Sequence, residues 1–532
     1  MKKIVYLFSL IFIFSSCSDF LETEPLTTKV NTNFYKTPAD VEQALYGIYS
    51  LLNPGLNPFM HSFFVSEIMS DDRFGGGGGV DARIHAISEF KNYGNDMYLY
   101  TWQQDYKGIF RANMLLESFP QVEEWTSEEQ KNQFQGEALF MRAYYYFDLA
   151  RMFGQVPLVL ATEPQNLPKS TPAELFGQIA TDLKSAIEIM PDKPYSTGDI
   201  GRATKWAAQG MLARVFLFYT GTYNQPDLPL TEEGNLSKTE VIALVDDCIA
   251  RSGHKLVQEF RNLWPYAYAS ADYPYAKENN LSWVGEEGDN TEAMFSIRFG
   301  ALGGGTHNTF NLYFGVRMQN TYPFGYGWGC GPVNPQLWSS WSDADIRKKG
   351  SICDVNAENI GYVSSSDQYH ETYLWQKKYM PVNVKIDEKR KSMFTHIYDS
   401  PDNNMECNTQ EIVLLRLADV YLMGAELGSS KAQEYLDAVR GRVDLPSVSV
   451  TLENIKIERR HELAFEGVRY YDLLRWGDLE VAFNKVKDIP VEMEGEAVEY
   501  SVNYRSETKG FLPIPESQVE LSDGVLEQNP GW

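Results

Sequence analysis

The pattern of apolar and polar positions predicts a mainly helical first half of the chain. Thr37 and Pro38 suit an N-cap and a first helical position, and Asp40 suits the first turn. The apolar positions that follow share one helical face; they are Val41, Ala44, Leu45, Ile48 and Leu52. The same periodicity predicts helices over 100–119, 127–153, 172–190, 202–220 and 237–251.

Small residues alternate with large apolar ones along two of these helices. In 202–220 the stripe consists of Ala203, Trp206, Gly210, Ala213 and Leu217. Small side chains let neighbouring helices approach closely, as in the stacked helix pairs of tetratricopeptide arrays. Because no 34-residue self-similarity accompanies the stripes, the pattern predicts paired helices rather than a regular repeat.

Two stretches depart from helical periodicity. Residues 54–99 contain five consecutive glycines, Gly75 to Gly79, which predict a mobile loop tip. Residues 254–409 are rich in Pro, Gly and aromatic residues, and within them only pieces such as 293–299 resemble strands. Helices are predicted again over 410–428, 430–442 and 452–476, before an irregular tail over 485–532.

The first residues of the chain predict a secreted lipoprotein. Two lysines precede an apolar run of eleven residues, 4–14, and Ser15 and Ser16 lead into Cys17. This order is typical of a secretory signal peptide, and the run is shorter than the roughly 20 residues that cross a bilayer. Cys17 stands at the lipobox position, so we expect a signal peptide over 1–16 and a lipidated leash over 17–37.

The net charge and the cysteine spacing exclude several functional classes for this protein. The formal net charge is −25, which argues against nucleic-acid binding, since that depends on Lys and Arg at phosphates. The remaining cysteines have neither metal-site spacing nor the density of a disulfide framework. Mostly buried free thiols are predicted, with one loop disulfide as the alternative; these residues are Cys248, Cys330, Cys353 and Cys407.

The catalytic and metal motifs that the chain suggests are incomplete. His461 and Glu462 begin a zinc-protease motif, but position 465 is Phe, where a second His is needed. The glycine run lacks the Gly-Lys-Ser/Thr of a phosphate loop. Charges at spacings of three and four over 459–475 indicate an ion-pair ladder along a scaffold helix. We therefore expect no metal, no cofactor and no catalytic residue.

Aromatic residues are concentrated where helical periodicity is weakest. From Trp264 to Trp341, 17 of 78 residues are Phe, Trp or Tyr, against 14% in the whole chain. In 322–332 rings alternate with Gly and Pro, a pattern that can hold rings at a surface. Aromatic platforms bind the apolar C–H face of sugars, and nearby polar groups fix the hydroxyls. Packing of the same rings into the subdomain core is the alternative.

Four segments resemble motifs of the SusD/RagB family, in the family's order along the chain. They are GEALFMRAYYYFDLARMFGQVPLV at 136–159, EIVLLRLADVYLMGAEL at 411–427, RRHELAFEGVRYYDLLRWG at 459–477, and the ending FLPIP…NPGW. With the lipoprotein signal, the resemblance extends over essentially the whole chain.

The resemblance implies a mainly α fold, in which tetratricopeptide-like helix pairs cradle an irregular, loop-rich subdomain with a few short strands. It divides the mature chain into helices over 38–253, the ligand-binding subdomain over 254–409, and completing helices and tail over 410–532. It also implies a non-enzymatic, lipid-anchored glycan-binding protein on the outer surface of the outer membrane. The implied partner is a SusC-like TonB-dependent outer-membrane barrel, which receives the captured oligosaccharide or polysaccharide.

The resemblance also indicates ligand-contacting segments. The loop after the first helix would contribute Asp71, Asp72, Arg73, Phe74 and Arg83. The loop before the helix at 335–341 would contribute Tyr322, Phe324, Tyr326 and Trp328, with Trp283 and Trp102 as further candidates. Two alternatives stay open at this point: a surface glycoside hydrolase, and a lid for the import of peptide or other non-sugar cargo.

Overall fold

The computed structural model describes residues 34–196, 201–232, 234–286, 288, 290–300 and 306–532. The predicted signal peptide, Cys17 and most of the leash lie outside the described residues. The first half of the described chain is helical, close to the predicted ranges. Its helices are α1 (Pro38–Tyr49), α2 (Ser62–Ile68), α3 (Ala82–Ser88), α4 (Leu99–Ser118), α5 (Glu128–Phe153), α6 (Pro172–Ile189), α7 (Lys205–Tyr223) and α8 (Lys238–Arg251).

Helix α1 begins as its sequence predicts. The Thr37 side chain accepts a hydrogen bond from the Asp40 N–H, and the Asp40 carboxylate accepts one from the Thr37 N–H. This capping box satisfies two backbone donors that the first helical turn leaves without partners. Pro38 occupies the first turn, where a missing N–H costs nothing. Thr171 with Glu174 begins α6 in the same way, and Ser237 with Glu240 begins α8.

Consecutive helices from α4 to α8 pack side by side, and α1 packs across α4 and α5. The layer continues with α14 (Leu417–Leu427), which packs on α8, and α15 (Ala432–Gly441), which packs on α14. Gly210 of α7 shows why small residues lie on the stripe. A Cβ at this position would come within 3.0 Å of the Leu415 and Val420 side chains. The two ends of the sequence therefore build one layer of paired helices.

The residues between α8 and α14 form the irregular subdomain. It contains short helices and strands connected by long loops: α9 (Pro274–Glu278), α10 (Phe310–Phe314), α11 (Pro335–Ser340), α12 (Ile346–Ser351), α13 (Met393–Tyr398), β3 (Ala293–Ile297), β4 (Ile352–Asp354), β5 (Leu374–Gln376), β6 (Asn383–Ile386) and β7 (Lys389–Ser392). The described strands pair as separate two-stranded antiparallel sheets; in the helical half, β1 (Leu228–Pro229) pairs with β2 (Asn235–Leu236). The predicted mainly α fold with an irregular subdomain is confirmed.

Two predicted helices are interrupted. The range 410–428, predicted as one helix, begins with strand β8 (Ile412–Arg416). This strand pairs with β3 and is buried along its whole length. The prediction over 452–476 is two helices, α16 (Leu452–Glu462) and α17 (Arg469–Trp476). Between them Phe465 and Gly467 have φ values of +66° and +75°, which a helix does not accommodate.

The tail packs back on the scaffold. It contains α18 (Leu479–Phe483), the hairpin of β9 (Ile489–Met493) and β10 (Glu496–Tyr500), and α19 (Glu516–Leu521). The Leu512 N–H donates to the Met152 carbonyl at the end of α5 at 2.9 Å. Asn529 donates to the carbonyls of Phe153 and Leu512 at 2.8 and 2.7 Å. The last residues of the chain thus close the end of α5.

A network of buried charges joins the subdomain to the helical layer. Glu462, at the end of α16, accepts hydrogen bonds from Arg347 at 2.9 Å and Arg416 at 2.5 Å, and also from Arg442. All four side chains are almost fully buried. Burial disfavours the charge of Glu462, but the three guanidinium groups outweigh burial and hold its pKa well below its usual range.

The predicted ion-pair ladder along 459–475 is therefore largely wrong. Arg475 does pair with Asp472 three residues away, at 2.8 Å. The other charges point to different elements: Arg459 pairs with Asp419 of α14 at 2.6 Å, and Arg469 with Asp71 at 2.7 Å. The chain turns between α16 and α17, so the charges of the two helices do not continue along one face. The pairs hold elements together instead of stabilising a single helix.

Two further features concern the membrane and the thiols. No helix in the described ranges is both long enough and apolar enough to cross a bilayer. The four cysteines of the described chain are free and buried, in agreement with the predicted free thiols. The alternative of a loop disulfide is thereby excluded for Cys248, Cys330, Cys353 and Cys407.

Replacing Glu462 should test the network directly. Glu462→Gln keeps the side-chain shape but leaves three buried guanidinium groups short of a counter-charge. We expect the free energy of unfolding at pH 7 to fall by about 3–5 kcal/mol, the usual cost of breaking a buried pair. Chemical denaturation measures this change.

Glu453→Gln, in the exposed first turn of the same helix, is the matched control. A surface substitution of this kind should change stability by less than about 0.5 kcal/mol. Similar small losses for both variants would contradict the role given to the buried network.

Candidate glycan-binding surface

The glycine-rich segment after α2 is fixed by the subdomain. The Phe74 N–H donates to the Pro332 carbonyl at 2.9 Å, and the Gly331 N–H donates to the Gly75 carbonyl at 2.9 Å. The Gly76 N–H donates to Nδ1 of His370 at 3.1 Å. Residues 71–78 are buried and only Gly79 and Val80 reach the surface. The prediction of a mobile loop tip is therefore wrong, because backbone hydrogen bonds occupy the segment on two sides.

The charged residues before these glycines are scaffold contacts. Asp71 accepts two hydrogen bonds from Arg469, at 2.7 and 2.9 Å, and Asp72 accepts two from Arg460, at 2.8 and 2.5 Å. The Arg73 guanidinium donates to Glu67 at 3.0 Å and to the Gly331 carbonyl at 2.9 Å, and lies 4.0 Å from the Phe314 ring centre. The predicted ligand contacts of Asp71, Asp72 and Arg73 do not agree with the structure, since these side chains are buried and paired.

The two neighbouring aspartates differ in their protonation behaviour. Burial opposes the charge of Asp71, but Arg469 and Arg460 outweigh burial and keep its pKa well below the usual range. At Asp72 burial prevails over Arg460, and the adjacent Asp71 charge adds to its effect, so its pKa is raised. The pair thus shares two arginines unequally.

Three of the predicted ligand-binding rings are also buried. Phe74 packs on Tyr500 with ring centres 4.9 Å apart, and Trp102 packs on Phe153 at 5.2 Å. Phe324 is fully buried against Tyr273 at 5.7 Å. The prediction of ligand contact is wrong for Phe74, Phe324 and Trp102, because all three rings are buried in the core and have no surface left for a ligand.

The remaining rings of 322–328 form what we call the ring platform, namely Tyr322, Tyr326 and Trp328. All three are half-buried. The Trp328 indole stands edge-on to the Tyr313 ring, with ring centres 4.6 Å apart at 73°. The backbone N–H of Trp328 donates to the Leu312 carbonyl at 2.7 Å. Trp328 is therefore supported by core packing on one side while it keeps accessible area.

The glycines beside Trp328 permit close backbone approach. A Cβ at Gly327 would lie 2.2 Å from the Gly315 carbonyl carbon, and one at Gly329 would lie 2.2 Å from Oε1 of Gln368. Gly329 also has φ +76°, a conformation that other residues rarely adopt. From the sequence, Gly327 and Gly329 belong to the alternation of rings with Gly and Pro that can hold rings at a surface. Their structural role is to let two neighbouring segments pass so closely that the platform has a fixed backbone.

A small recess of about 100 Å³ adjoins Tyr326. Its lining is rich in amides: Asn308, Asn320, Asn383, Asn404 and Asn408. Asn320 accepts a hydrogen bond from the Tyr326 N–H at 2.9 Å. The buried side-chain nitrogen of Asn408 donates to no residue of the described chain. Arg390 also lines the recess, and its guanidinium lies 5.4 Å from the Tyr322 ring centre. The recess can donate and accept hydrogen bonds beside an aromatic face.

Residues that sequence reasoning missed form the other edge of the platform. Arg317 donates to the Trp328 carbonyl at 2.9 Å and makes two hydrogen bonds to Asp367, at 3.0 and 2.5 Å. Met318, whose N–H donates to the Gly327 carbonyl, is 57% exposed, and Val363 is 72% exposed. No spacing in the sequence connects 317 with 363–367, because the contact is made only in the folded chain.

Two further predicted site residues lie away from the platform. Arg83 is exposed on α3, with its guanidinium 6.0 Å from the Tyr93 ring centre. Trp283 is half-buried and lines a separate cavity that contains no platform residue. Within the described ranges, no three His, Cys, Asp or Glu side chains are grouped as a metal site. The platform and recess are thus the part of the predicted site that the structure brings together.

Comparison with known families matches most of the chain. Residues 19–217 match a family model described as starch-binding associating with outer membrane, and residues 291–532 match the model of the SusD family. The chain is 24% identical to SusD-like protein P2 of Formosa agariphila, over 97% of each chain. It is 25% identical to a SusD-like protein of Bacteroides ovatus, over 99% of this chain and 98% of the relative.

Solved structures share the fold. A laminarin-binding SusD-like protein superposes with a TM-score of 0.74 at 27% identity, over 94% of this chain and all of the other. Surface glycan-binding protein A from Bacteroides thetaiotaomicron, in complex with laminarihexaose, also gives a TM-score of 0.74. At 19% identity, over 93% of this chain and all of the other, it is evidence for the fold alone.

The contact between Gly76 and His370 should make stability depend on pH. Burial lowers the pKa of His370 to about 3, and the nearby His85 adds to the shift. Because the folded pKa is depressed, the unfolded chain binds the proton first, and stability is lost as pH falls below about 6.5. His370→Gln should reduce this loss by up to about 1.4 kcal/mol per pH unit between about pH 6 and 4.

Chemical denaturation across that pH range measures the slope. His396→Gln is the control, since His396 is exposed on α13. An unchanged slope in His370→Gln would show that His370 is not buried as a neutral group.

Proposed function

The chain belongs to the SusD/RagB family, and we propose that it captures an oligosaccharide at the ring platform and delivers it, uncleaved, to a SusC-like TonB-dependent barrel. The observation that carries the proposal is the pair of half-buried rings in the platform: Tyr313 supports the Trp328 indole, and Tyr326 lines an amide-rich recess. Glycan binding is the property common to the SusD-like relatives whose names state a ligand.

The platform suits the surface of a sugar ring. A pyranose has an apolar C–H face that packs on an indole or phenol by dispersion and CH–π contact. Its hydroxyls need hydrogen-bond partners at the edge of that face. Around Tyr326 the recess supplies amide donors and acceptors, among them Asn408, whose buried nitrogen donates to no described residue. A ring bound on Trp328 or Tyr326 would find both kinds of contact within one surface.

Preorganisation favours this surface over an ordinary exposed ring. Tyr313 holds the Trp328 indole, and Arg317 holds the adjoining carbonyl at 2.9 Å. A ring that is already ordered loses little side-chain entropy when the ligand binds. Laminarin is the first glycan to test, because the relative at 27% identity is named for it. Starch-derived maltohexaose is the second, since the N-terminal family model is described as starch-binding.

Binding without cleavage also suits the charges beside the platform. Hydrolysis of a glycosidic bond needs one carboxylic acid that is protonated near neutral pH. Hydrogen bonds from Arg317 and Ser365 hold the pKa of Asp367 well below its usual range, so this carboxylate does not donate a proton there. Release of reducing ends by purified protein would favour the hydrolase alternative.

The membrane location completes the proposal. Acyl chains on Cys17 would anchor the protein at the outer face of the outer membrane, where a barrel could receive the glycan. One chain binds only marginally, so stable anchoring needs more than one. The predicted signal peptide and the lipobox position of Cys17 support this anchor.

Trp328→Ala should weaken glycan binding without unfolding the protein. A central anchor of this kind typically costs 2 kcal/mol or more when truncated, which is roughly a thirtyfold loss of affinity. Calorimetric titration of residues 18–532 with laminarihexaose and with maltohexaose measures the change. This range contains every residue that the structure describes.

The control is Trp125→Ala. Trp125 is also half-buried and packs against the Phe119 and Phe134 rings, with ring centres 5.1 and 6.2 Å apart, but it lies in the connection between α4 and α5. Its loss should leave affinity unchanged. Equal affinities for Trp328→Ala and the unmodified chain would place the glycan elsewhere.

Cys17→Ala should release a folded, soluble protein from the membrane, because the acyl chains supply the anchoring energy. Fractionation of cells that lack the partner barrel measures the distribution. A melting temperature of the released protein equal to that of purified residues 18–532 would show that it is folded. Continued recovery of the variant with membranes would contradict a single lipid anchor.

A further inference from the structure

A second cavity shares no lining residue with the ring platform or with the recess beside it, although residues 409–411 of its lining directly follow Asn408 of the recess. Its volume is about 460 Å³, within the usual range of small-ligand sites. It lies where the connection between α6 and α7 meets β3 and the segment that leads into β8. The chain segments around it contribute Tyr195, Thr204, Trp283, Arg298, Tyr398 and Glu411, among others.

Two of the lining rings are held around one glycine. The Trp283 indole lies so close to Gly285 that a Cβ there would be 2.3 Å from the ring. The Tyr398 hydroxyl donates to the Gly285 carbonyl at 3.0 Å. Phe394 packs edge-on to Trp283 and in parallel to Tyr398, with ring centres 5.7 and 6.1 Å apart. Tyr398 is nevertheless 40% exposed and Trp283 is half-buried, so both keep accessible area.

A row of polar side chains completes the lining. Glu411 accepts a hydrogen bond from Arg298 at 2.8 Å with one oxygen and from Asn290 at 3.0 Å with the other. Arg298 is 51% exposed, so much of its guanidinium faces solvent. The side-chain oxygen of Asn290 is buried, yet it accepts no hydrogen bond from any residue in the described part of the chain. An unused buried acceptor is costly unless a bound molecule satisfies it.

We propose that this cavity is a second glycan site, which binds a terminal pyranose or a short oligosaccharide against Trp283 and Tyr398. The inference rests on the proposed glycan-binding function and extends it to a second position. Arg298 and Glu411 cancel each other's charge, and the exposed Glu286 carboxylate leaves the lining slightly negative, which favours a neutral polyol over an anion. Neighbouring hydroxyls of a sugar can accept from Arg298 and donate to Glu411 or Asn290, while its C–H face covers the rings.

Two sites on one chain have a consequence for polymers. A polysaccharide that reaches both the ring platform and the cavity binds the second site as an intramolecular event. The apparent affinity for a long glycan then exceeds the affinity for a hexasaccharide without any new contact. A substitution that disables the cavity should therefore weaken the binding of laminarin by a larger factor than the affinity of the cavity for a short oligosaccharide suggests.

The experiment isolates the cavity in Trp328→Ala protein, whose platform is disabled. Calorimetric titration of residues 18–532 with laminarihexaose and with maltohexaose should show remaining binding by at least one probe. Adding Trp283→Ala, or separately Arg298→Ala, should weaken that binding at least tenfold. In the described part of the chain Arg298 is exposed and forms its ion pair with Glu411, so its variant tests the site even where Trp283→Ala is unstable.

Arg251→Ala is the matched control. Arg251 is likewise 51% exposed and paired with carboxylates, but it does not line the cavity. Its loss should change neither affinity nor stoichiometry. The melting temperature of each variant shows whether the fold is intact.

The outcomes separate the two proposals. If Trp328→Ala abolishes all binding, or if the remaining binding ignores both Trp283→Ala and Arg298→Ala, the cavity is not a glycan site and the platform stands. If Trp328→Ala changes nothing while the cavity variants abolish binding, the platform proposal fails and the cavity stands. No binding of laminarin or of either hexasaccharide by the unmodified chain counts against both.

Discussion

The fold depends on the burial of Glu462 among three arginines. Arg347 comes from the subdomain, Arg416 from the end of β8, and Arg442 from the turn after α15. Removal of four charged groups from water is expensive, and only mutual attraction with good hydrogen-bond geometry offsets that cost. The network is therefore satisfied only when all these elements are in place together. This network fixes the loop-rich subdomain on the helical layer together with apolar contacts, such as Phe295 on Phe140 and Phe310 on Phe63.

The same part of the chain also determines where the ring platform lies. On either side of Glu462 in the chain, Arg460 pairs with Asp72 and Arg469 pairs with Asp71. These two aspartates begin the glycine-rich segment. That segment exchanges backbone hydrogen bonds with residues 329–332. Trp328 directly precedes this hydrogen-bonded stretch, so its position follows from contacts that begin in α16. The aspartates and arginines therefore position the ring platform through the backbone, without contact to its rings.

Local patterns predicted much of the fold, whereas contacts between distant segments did not follow from them. Helices α4 to α8 agree with the periodicity, and Thr37 caps α1 as its sequence indicates, because these features depend on residues within one or two turns. Strand β8 was missed, since its partner β3 lies more than a hundred residues away. The role of Asp71 was misjudged for the same reason: a charged residue beside glycines suggests an exposed loop until its arginine, 398 positions later, is known.

The sequence indicated the ring-rich segment 322–328 but not which of its rings keep accessible area. Tyr322, Phe324, Tyr326 and Trp328 share one pattern, yet Phe324 is fully buried and the others are half-buried. The difference arises from Tyr273, which encloses Phe324, and from backbone approaches that require glycine at 327 and 329. The buried ion pairs hold the elements of this protein together, whereas the three platform rings are partly exposed to solvent. Since no platform ring belongs to the ionic network, the rings of the platform can change without loss of the interactions that fix the fold, and ligand preference can vary on a constant scaffold.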